Sequence, residues 1–351
     1  MRKKPVKIAI WGFGAMGSGM ARMIIRKQGF DIIGICDRNP NIVGKSIFPL
    51  LKETNPYKHD VLISDDIDKL LAEEKPELVL LATDSFTKKA FPKLMKLIEA
   101  GCDVISTAEE MAYPKANAPD LAEKLDKAAK EKHVTILGTG VNPGMMMDLL
   151  AIAMTGVMTD VFSMKISRVN SLSPFGETVM QEQGVGLTPK EFAEKQASGE
   201  ISGHVGFRES AMMIADAIGL KVTKFTQSMN PIITNVDRKS PYGFAAKGNV
   251  CGVAMKAKAE LANGMEIELD HPQQIEPAKG GVNTGDYIKI SGLPPINLSN
   301  SPEVEGGLGT IAICVNMIPI VINATPGLKT MINLPVPRAI VGDVRNLIET
   351  K

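Results

Sequence analysis

Residues 6–17 read Val-Lys-Ile-Ala-Ile-Trp-Gly-Phe-Gly-Ala-Met-Gly. Val6–Trp11 is a short apolar run with little polar alternation, which suits a strand buried on both faces of a parallel sheet. Gly12-Phe13-Gly14-Ala15-Met16-Gly17 then matches G-x-G-x-x-G. The motif alone is weak, but here it follows a strand and opens the helical spacing of Met16–Lys27, where each glycine has its own mechanical task. Gly12 permits the tight turn, Gly14 lets a pyrophosphate approach the backbone, and Gly17 allows close packing of helix on strand. The helix N-terminus adds free N–H groups and the positive end of its dipole for a diphosphate.

Working outward, Asp31–Asp37, Leu78–Ala82, Cys102–Ser106 and Val134–Leu137 read as further strands, separated by helical stretches at Phe91–Ala100 and Leu121–Lys132. Such alternation implies parallel strands with right-handed crossovers, hence an α/β fold with an N-terminal Rossmann-type doubly wound parallel sheet. After Gly144 a Met-rich helix from Met145 to Val157 leads into longer strands with fewer helices. Phe162–Val169, Val250–Leu261, Met265–Leu269 and Tyr287–Ser291 read as strands, with Asn263-Gly264 as a hairpin turn. Thr188-Pro189-Lys190-Glu191 is a capping-box helix start, and Phe207–Ile218 is a second helix. The expected division is a dinucleotide-binding domain over 1–145, an α+β substrate-binding and oligomerisation domain over 146–305, and a segment 306–351 that returns to pack on the first.

The 351 residues include 44% apolar and 23% charged ones, with 40 basic against 39 acidic side chains. That is a globular composition of two-domain length. Near-neutral charge removes the usual electrostatic argument for nucleic acid or an anionic membrane. Four scattered cysteines form no C-x-x-C pair, so neither a disulfide scaffold nor a zinc knuckle is expected, and no metal site. The basic start and the brief apolar run Ile8–Trp11 lack a cleavage site and are not read as a signal peptide. Gly306–Leu328 is uncharged and long enough to cross a bilayer, but Asn316, Pro319 and Asn323 favour a buried helix and turn. The cytoplasm is the expected location.

Asp37 ends the second strand twenty residues after Gly17, the spacing at which an acid can accept from a ribose 2′-OH, which favours NAD. Arg38 beside it could instead pair with the 2′-phosphate of NADP, so both dinucleotides stay open. Ala82 and Thr83, at the carboxyl end of a later strand, are expected beneath the cofactor. Ser106-Thr107-Ala108-Glu109-Glu110 sets two adjacent acids at another such strand end. Glu109 or Glu110 is the candidate general base; neutralising the N-terminus of a following helix is the structural alternative. Successive side chains diverge, so one acid is expected at the reacting centre, Glu109 ahead of Glu110. Thr107 joins the cofactor set, as does Asn142, placed by the loop at 138–144 to orient a nicotinamide carboxamide.

Taken together, GFGAMGSGM at 12–20, ISTAEEMAYP at 105–114, GTGVNPGMMMD at 138–148 and GHVGFRES at 203–210 resemble the 2,4-diaminopentanoate dehydrogenases over nearly the whole chain. More distantly the chain is similar to dihydrodipicolinate reductase and homoserine dehydrogenase, which share a two-domain plan. The paired histidines and Lys-Asp-Ala-Pro-Ser-Gly-Thr signature of the reductase are absent, and Glu109-Glu110 replaces the Asn-Lys of homoserine dehydrogenase. The resemblance implies NAD(P)-dependent oxidative deamination at C4 of 2,4-diaminopentanoate in ornithine degradation, giving 2-amino-4-oxopentanoate and ammonia. The alternatives are a homoserine dehydrogenase-like oxidoreductase on another small amino acid, or a nicotinamide-binding regulator without turnover.

A diamino acid substrate also needs a cation for its carboxylate, and Arg168 and Arg208 are the candidates. His204, between glycines in Ser202-Gly203-His204-Val205-Gly206, is the third substrate-binding candidate. His59, His133 and His271 read as residues of charged or turn-like surroundings without a partner at metal spacing. An exposed sheet face in the second domain leads to the expectation of a homodimer.

Overall fold

The computed structural model describes residues 2–349. β1 (Val6–Trp11) is buried at every position except Lys7 and leads through the glycine turn into α1 (Ala15–Ile25), which buries Gly17, Met20, Ala21, Ile24 and Ile25. There follow β2 (Phe30–Cys36), α2 (Ile47–Leu51), β3 (Ile63–Ser64), α3 (Ile67–Glu74), β4 (Leu78–Leu81), α4 (Thr87–Glu99), β5 (Asp103–Ser106), α5 (Pro119–Glu131) and β6 (Thr135–Gly138). β4 is buried throughout, as its unbroken apolar run requires in a sheet covered on both sides.

Beyond the loop at 139–148 come α6 (Leu149–Thr155), β7 (Asp160–Ser171), α7 (Glu177–Glu182), α8 (Pro189–Ser198) and α9 (Phe207–Ala217). The rest of this part is β8 (Val222–Ile233), β9 (Arg238–Lys239), β10 (Phe244–Ala245), β11 (Val250–Leu261), β12 (Glu266–Gln274), β13 (Gly285–Leu293) and β14 (Ile296–Asn300). The chain returns through α10 (Gly306–Asn316), α11 (Ile318–Asn323) and β15 (Gly327–Lys329). One compact unit holds the chain through Gly144 together with the segment from Gly307 onward, and Met145–Gly306 forms the other.

The sheet of the first unit runs β15-β6-β5-β4-β1-β2-β3. All six pairings are parallel. Its order reverses between β1 and β4, and the carboxyl ends at such a switch point are where open α/β sheets bind ligands. β15 extends the sheet beyond β6, pairing Gly327 with Thr135. The apolar run 306–323 is two helices broken at Met317, ahead of Pro319, and buries Ile313, Cys314, Val315, Ile318, Ile320 and Val321.

The second unit is built on a mixed sheet, β14-β13-β7-β12-β11-β8, in which only β7 and β12 pair in parallel. α8 and α9 cover one face with Phe192, Phe207, Ala211 and Ile214 against Met164, Ile166, Met255, Ile267 and Ile288. The alternate residues Lys165, Thr226, Ser228, Lys256, Lys258, Glu268 and Asp270 line the opposite face. The hairpin at Asn263-Gly264 joins β11 to β12, with Gly264 at φ +85° and the Leu261 N–H donating to the Met265 carbonyl at 2.8 Å. The helix expected from Met145 starts only at Leu149, because the Asp148 carboxylate accepts the Leu149 N–H at 2.6 Å and caps it there.

Candidate active site

The glycine turn has the form a diphosphate requires. Gly12 sits at φ +97°, and a Cβ there would lie 2.4 Å from the Ala82 carbonyl oxygen, so β4 and the turn touch backbone to backbone. A Cβ on Gly17 would lie 1.8 Å from the Gly12 carbonyl oxygen. Gly14 differs: a Cβ there meets no atom within 4 Å. Packing therefore explains Gly12 and Gly17, while the open space at Gly14 fits a ligand that approaches the backbone. Gly14 is also the N-cap of α1, no side chain caps that end, and Ala15 and Met16 bring no acid into its first turn. The N-terminal amides are left to an anion.

Asp37 follows β2 and steadies this turn. Its Oδ2 accepts the Phe13 N–H at 2.5 Å, and Oδ1 accepts the Asn39 N–H at 2.8 Å. Arg38 is exposed beside it. Ala82 donates its N–H to the Trp11 carbonyl at 2.8 Å, and Thr83 Cγ2 comes within 2.9 Å of the same Gly12 Cβ position. The residues expected to cradle a dinucleotide thus share one end of one sheet, and they fit the group.

One strand further along, Thr107 donates its N–H to the Leu81 carbonyl at 3.0 Å, and a single-turn 3₁₀ helix, Glu109–Ala112, carries both acids. Their roles separate here. Glu110 Oε2 accepts the Thr87 N–H at 2.7 Å, and the Glu110 N–H donates to the Ser85 carbonyl at 3.1 Å, so this carboxylate caps α4. The helix it neutralises is the preceding one, not a following one, which corrects the structural alternative. Glu109 is half-buried with its Oε2 sealed from solvent. Gly138 lets the turn lie against β6, because a Cβ there would sit 2.1 Å from the Met111 carbonyl oxygen. Asn142 is buried in the following loop, whose Val141 N–H donates to Thr310 Oγ1 of α10 at 3.2 Å.

In the second unit the substrate candidates divide. Arg168 on β7 is 2% exposed, ion-paired with Asp286 of β13, and it donates to the Val304 carbonyl. These bonds use two of its five N–H donors. His204 lies against it: burial, then the Arg168 charge, lowers the imidazole pKa to about 4. The His204 ring stands edge-on to His271, with centroids 4.8 Å apart. His271 is not in a turn; it is buried on β12, and its Nδ1 donates to the Arg168 carbonyl at 2.6 Å. Burial and the neighbouring His204 hold its pKa well below the ordinary value. Arg208 is exposed on the first turn of α9, its guanidinium 5.7 Å from the Phe225 ring on β8, two strands from His271. The structure therefore joins Arg168, His204 and the overlooked His271, and gives Arg208 an aromatic partner. Among the described residues no group of three His, Cys, Asp or Glu is placed to hold a metal ion.

Residues 145–350 match the family described as 2,4-diaminopentanoate dehydrogenase C-terminal domain. The chain is 55% identical over 344 residues to a 2,4-diaminopentanoate dehydrogenase from Acetoanaerobium sticklandii, covering 98% of this chain and 97% of that one. The chain belongs to the 2,4-diaminopentanoate dehydrogenase family. Residues 6–140 match the oxidoreductase family with an NAD-binding Rossmann fold. Family members of this kind are oxidoreductases, and the first unit is an NAD-binding Rossmann domain. The wider kinship shown is with this oxidoreductase family. A solved amine dehydrogenase from Mycobacterium smegmatis superposes with a TM-score of 0.85 at 28% identity, over 96% of this chain and 98% of that one. An amine dehydrogenase from Streptomyces virginiae is 22% identical over 355 residues, covering 95% and 98%.

Proposed function

We propose that this family member oxidises the C4 amine of 2,4-diaminopentanoate, consuming water and releasing 2-amino-4-oxopentanoate and ammonia, as a step of ornithine degradation. The observation that carries this reading is the pair of acids at the carboxyl edge of the sheet: Glu110 caps α4, and Glu109, half-buried with its Oε2 sealed from solvent, is read as the carboxylate for chemistry. A bound nicotinamide dinucleotide supplies the hydride acceptor. It would be held by Gly12, Phe13, Gly14, Ala15, Met16 and Gly17, with Asp37, Arg38, Ala82, Thr83, Thr107 and Asn142 completing the set. Asp37 favours the unphosphorylated ribose of NAD, and Arg38 keeps NADP within reach.

Glu109 performs the proton work. An alkylammonium must lose a proton before its carbon can give up hydride, so the carboxylate first holds the ammonium and then takes that proton. Once that proton has passed to solvent and hydride has left, water adds to the iminium; the same carboxylate takes the water proton and returns it to the departing nitrogen. One amine, one water and one hydride acceptor thus yield ketone, ammonium, reduced acceptor and one proton. Arg168 and His204, joined by His271, are read as the receptor of the substrate carboxylate. An anion beside His204 would oppose the burial and the Arg168 charge that lower its pKa. The charged face of the second sheet, with Lys165, Lys256 and Lys258 among Glu268 and Asp270, is read as the contact between two copies of the chain.

The test is reduction of NAD and NADP at 340 nm with 2,4-diaminopentanoate, in wild type and Glu109→Gln. Turnover in the wild type and a loss of about 10²–10⁴ in kcat in the variant, with dinucleotide binding kept, are expected. Turnover with homoserine alone, or with no amine at all, refutes the reading.

A further inference from the structure

Lys93 lies in the second turn of α4 and points at the end of β4. Its ammonium donates to Thr83 Oγ1 at 2.8 Å and to Asp84 Oδ2 at 2.7 Å, and it stands 5.8 Å from the Trp11 ring centroid. The Thr83 hydroxyl in turn donates to Asp84 Oδ2 at 2.7 Å. The three polar groups close on one another, with Asp84 12% and Lys93 25% exposed at the side chain. With its hydroxyl locked this way, Thr83 turns its methyl toward Gly12.

Stability alone is a poor reason for a partly buried Lys–Asp pair, since such pairs contribute little after desolvation. Its location supplies a better one. Asp84 follows Thr83 at the sheet switch point, beside the turn whose open amides receive a diphosphate. An uncompensated carboxylate there would repel that anion.

We propose that Lys93 is a positioning residue for the dinucleotide: by pairing with Asp84 and Thr83 it cancels a negative charge beside the diphosphate cradle and fixes the floor under the cofactor. This rests on the reading of Gly12–Gly17 as the dinucleotide site. The sign of the effect sets it apart from a packing role. Removing Lys93 exposes the charge of Asp84, and removing Asp84 as well restores neutrality. Lost packing is not repaired by a second deletion.

The experiment titrates NADH into the full-length protein and follows emission from Trp11, the chain's single tryptophan, with calorimetry as a second readout. Lys93→Met is expected to weaken binding about tenfold, or about 1.4 kcal/mol. Raising the salt concentration narrows that gap. Lys93→Arg and Asp84→Asn stay within about threefold of wild type, and Asp84→Asn/Lys93→Met returns to within about threefold. Lys93→Met binding like wild type, or a double variant as weak as the single one, overturns the proposal. Should Lys93→Met fail to fold, tenfold weaker binding by a folded Lys93→Arg variant overturns it too. A wild-type protein that binds no dinucleotide refutes the cradle reading itself.

Discussion

Replacing Gly138 by alanine probes the glutamate turn without touching either acid. The added Cβ would lie 2.1 Å from the Met111 carbonyl oxygen and 2.2 Å from its carbonyl carbon. Both are backbone atoms, so no rotamer change relieves the clash. Ordinary contacts begin at about 3.5 Å, so the turn carrying Glu109 must recede by roughly 1 Å. Overpacking of this kind costs about 1–3 kcal/mol, and a 1 Å displacement of a catalytic group costs roughly 10²-fold in rate. The glycine cradle lies on other strands and keeps its geometry. In initial-rate assays at 340 nm, Gly138→Ala should therefore lower kcat and kcat/KM together by about 10²-fold, with a modest fall in melting temperature and unchanged NADH affinity. A folded variant with kcat within about threefold of wild type would refute the idea that this contact aims Glu109.

Gly14→Ala and Gly17→Ala should behave oppositely: the first keeps its melting temperature and loses NADH affinity by at least about tenfold, and the second fails to fold stably. Equal loss of stability in both would contradict the open space at Gly14. Glu110→Ala should destabilise by about 1 kcal/mol through loss of the α4 cap, and Glu110→Gln, which keeps an acceptor, should retain most activity. A kcat collapse in Glu110→Gln at unchanged stability would make Glu110 the base instead. The depressed pKa of His204 means that the unfolded chain takes up that proton first. Stability is then level above about pH 6.5 and falls toward about pH 4, where the folded imidazole titrates. Melting curves of His204→Asn should show a shallower acid slope, with His271 supplying the remainder; an unchanged slope counts against burial of the neutral ring.

Local signals determined much of this protein. The buried run Val6–Trp11, the glycines after it and the repeated strand–helix alternation specify a parallel doubly wound sheet, because each is a requirement of backbone geometry within a few residues. The turn at Asn263-Gly264 and the capping box at Thr188 are visible for the same reason. Elements whose partners lie far along the chain are not. β15 is three residues long and owes its existence to the free edge of β6, nearly two hundred residues earlier. His271 looked like a turn residue beside Asp270 and Pro272, yet the alternation of β12 puts it inward with Ile267 and Leu269.

The site shows the same division. Sequence brings both Glu109 and Glu110 forward as candidate bases, Glu109 ahead of Glu110, since both follow the same strand. Only the approach of α4, 23 residues away, shows that Glu110 caps a helix, a contact that Glu109 does not share. Arg168 reads as a cation for the substrate carboxylate, and it takes Asp286, 118 residues later, to show its buried ion pair; no local signal marks Lys93, which α4 brings onto Thr83 and Asp84. Backbone conformation answers to neighbouring residues, whereas the charge and orientation of a side chain answer to whatever the folded chain sets beside it. That is why the kind of fold and the glycine turn were written in the sequence, and the partners of individual charged side chains were decided by tertiary structure.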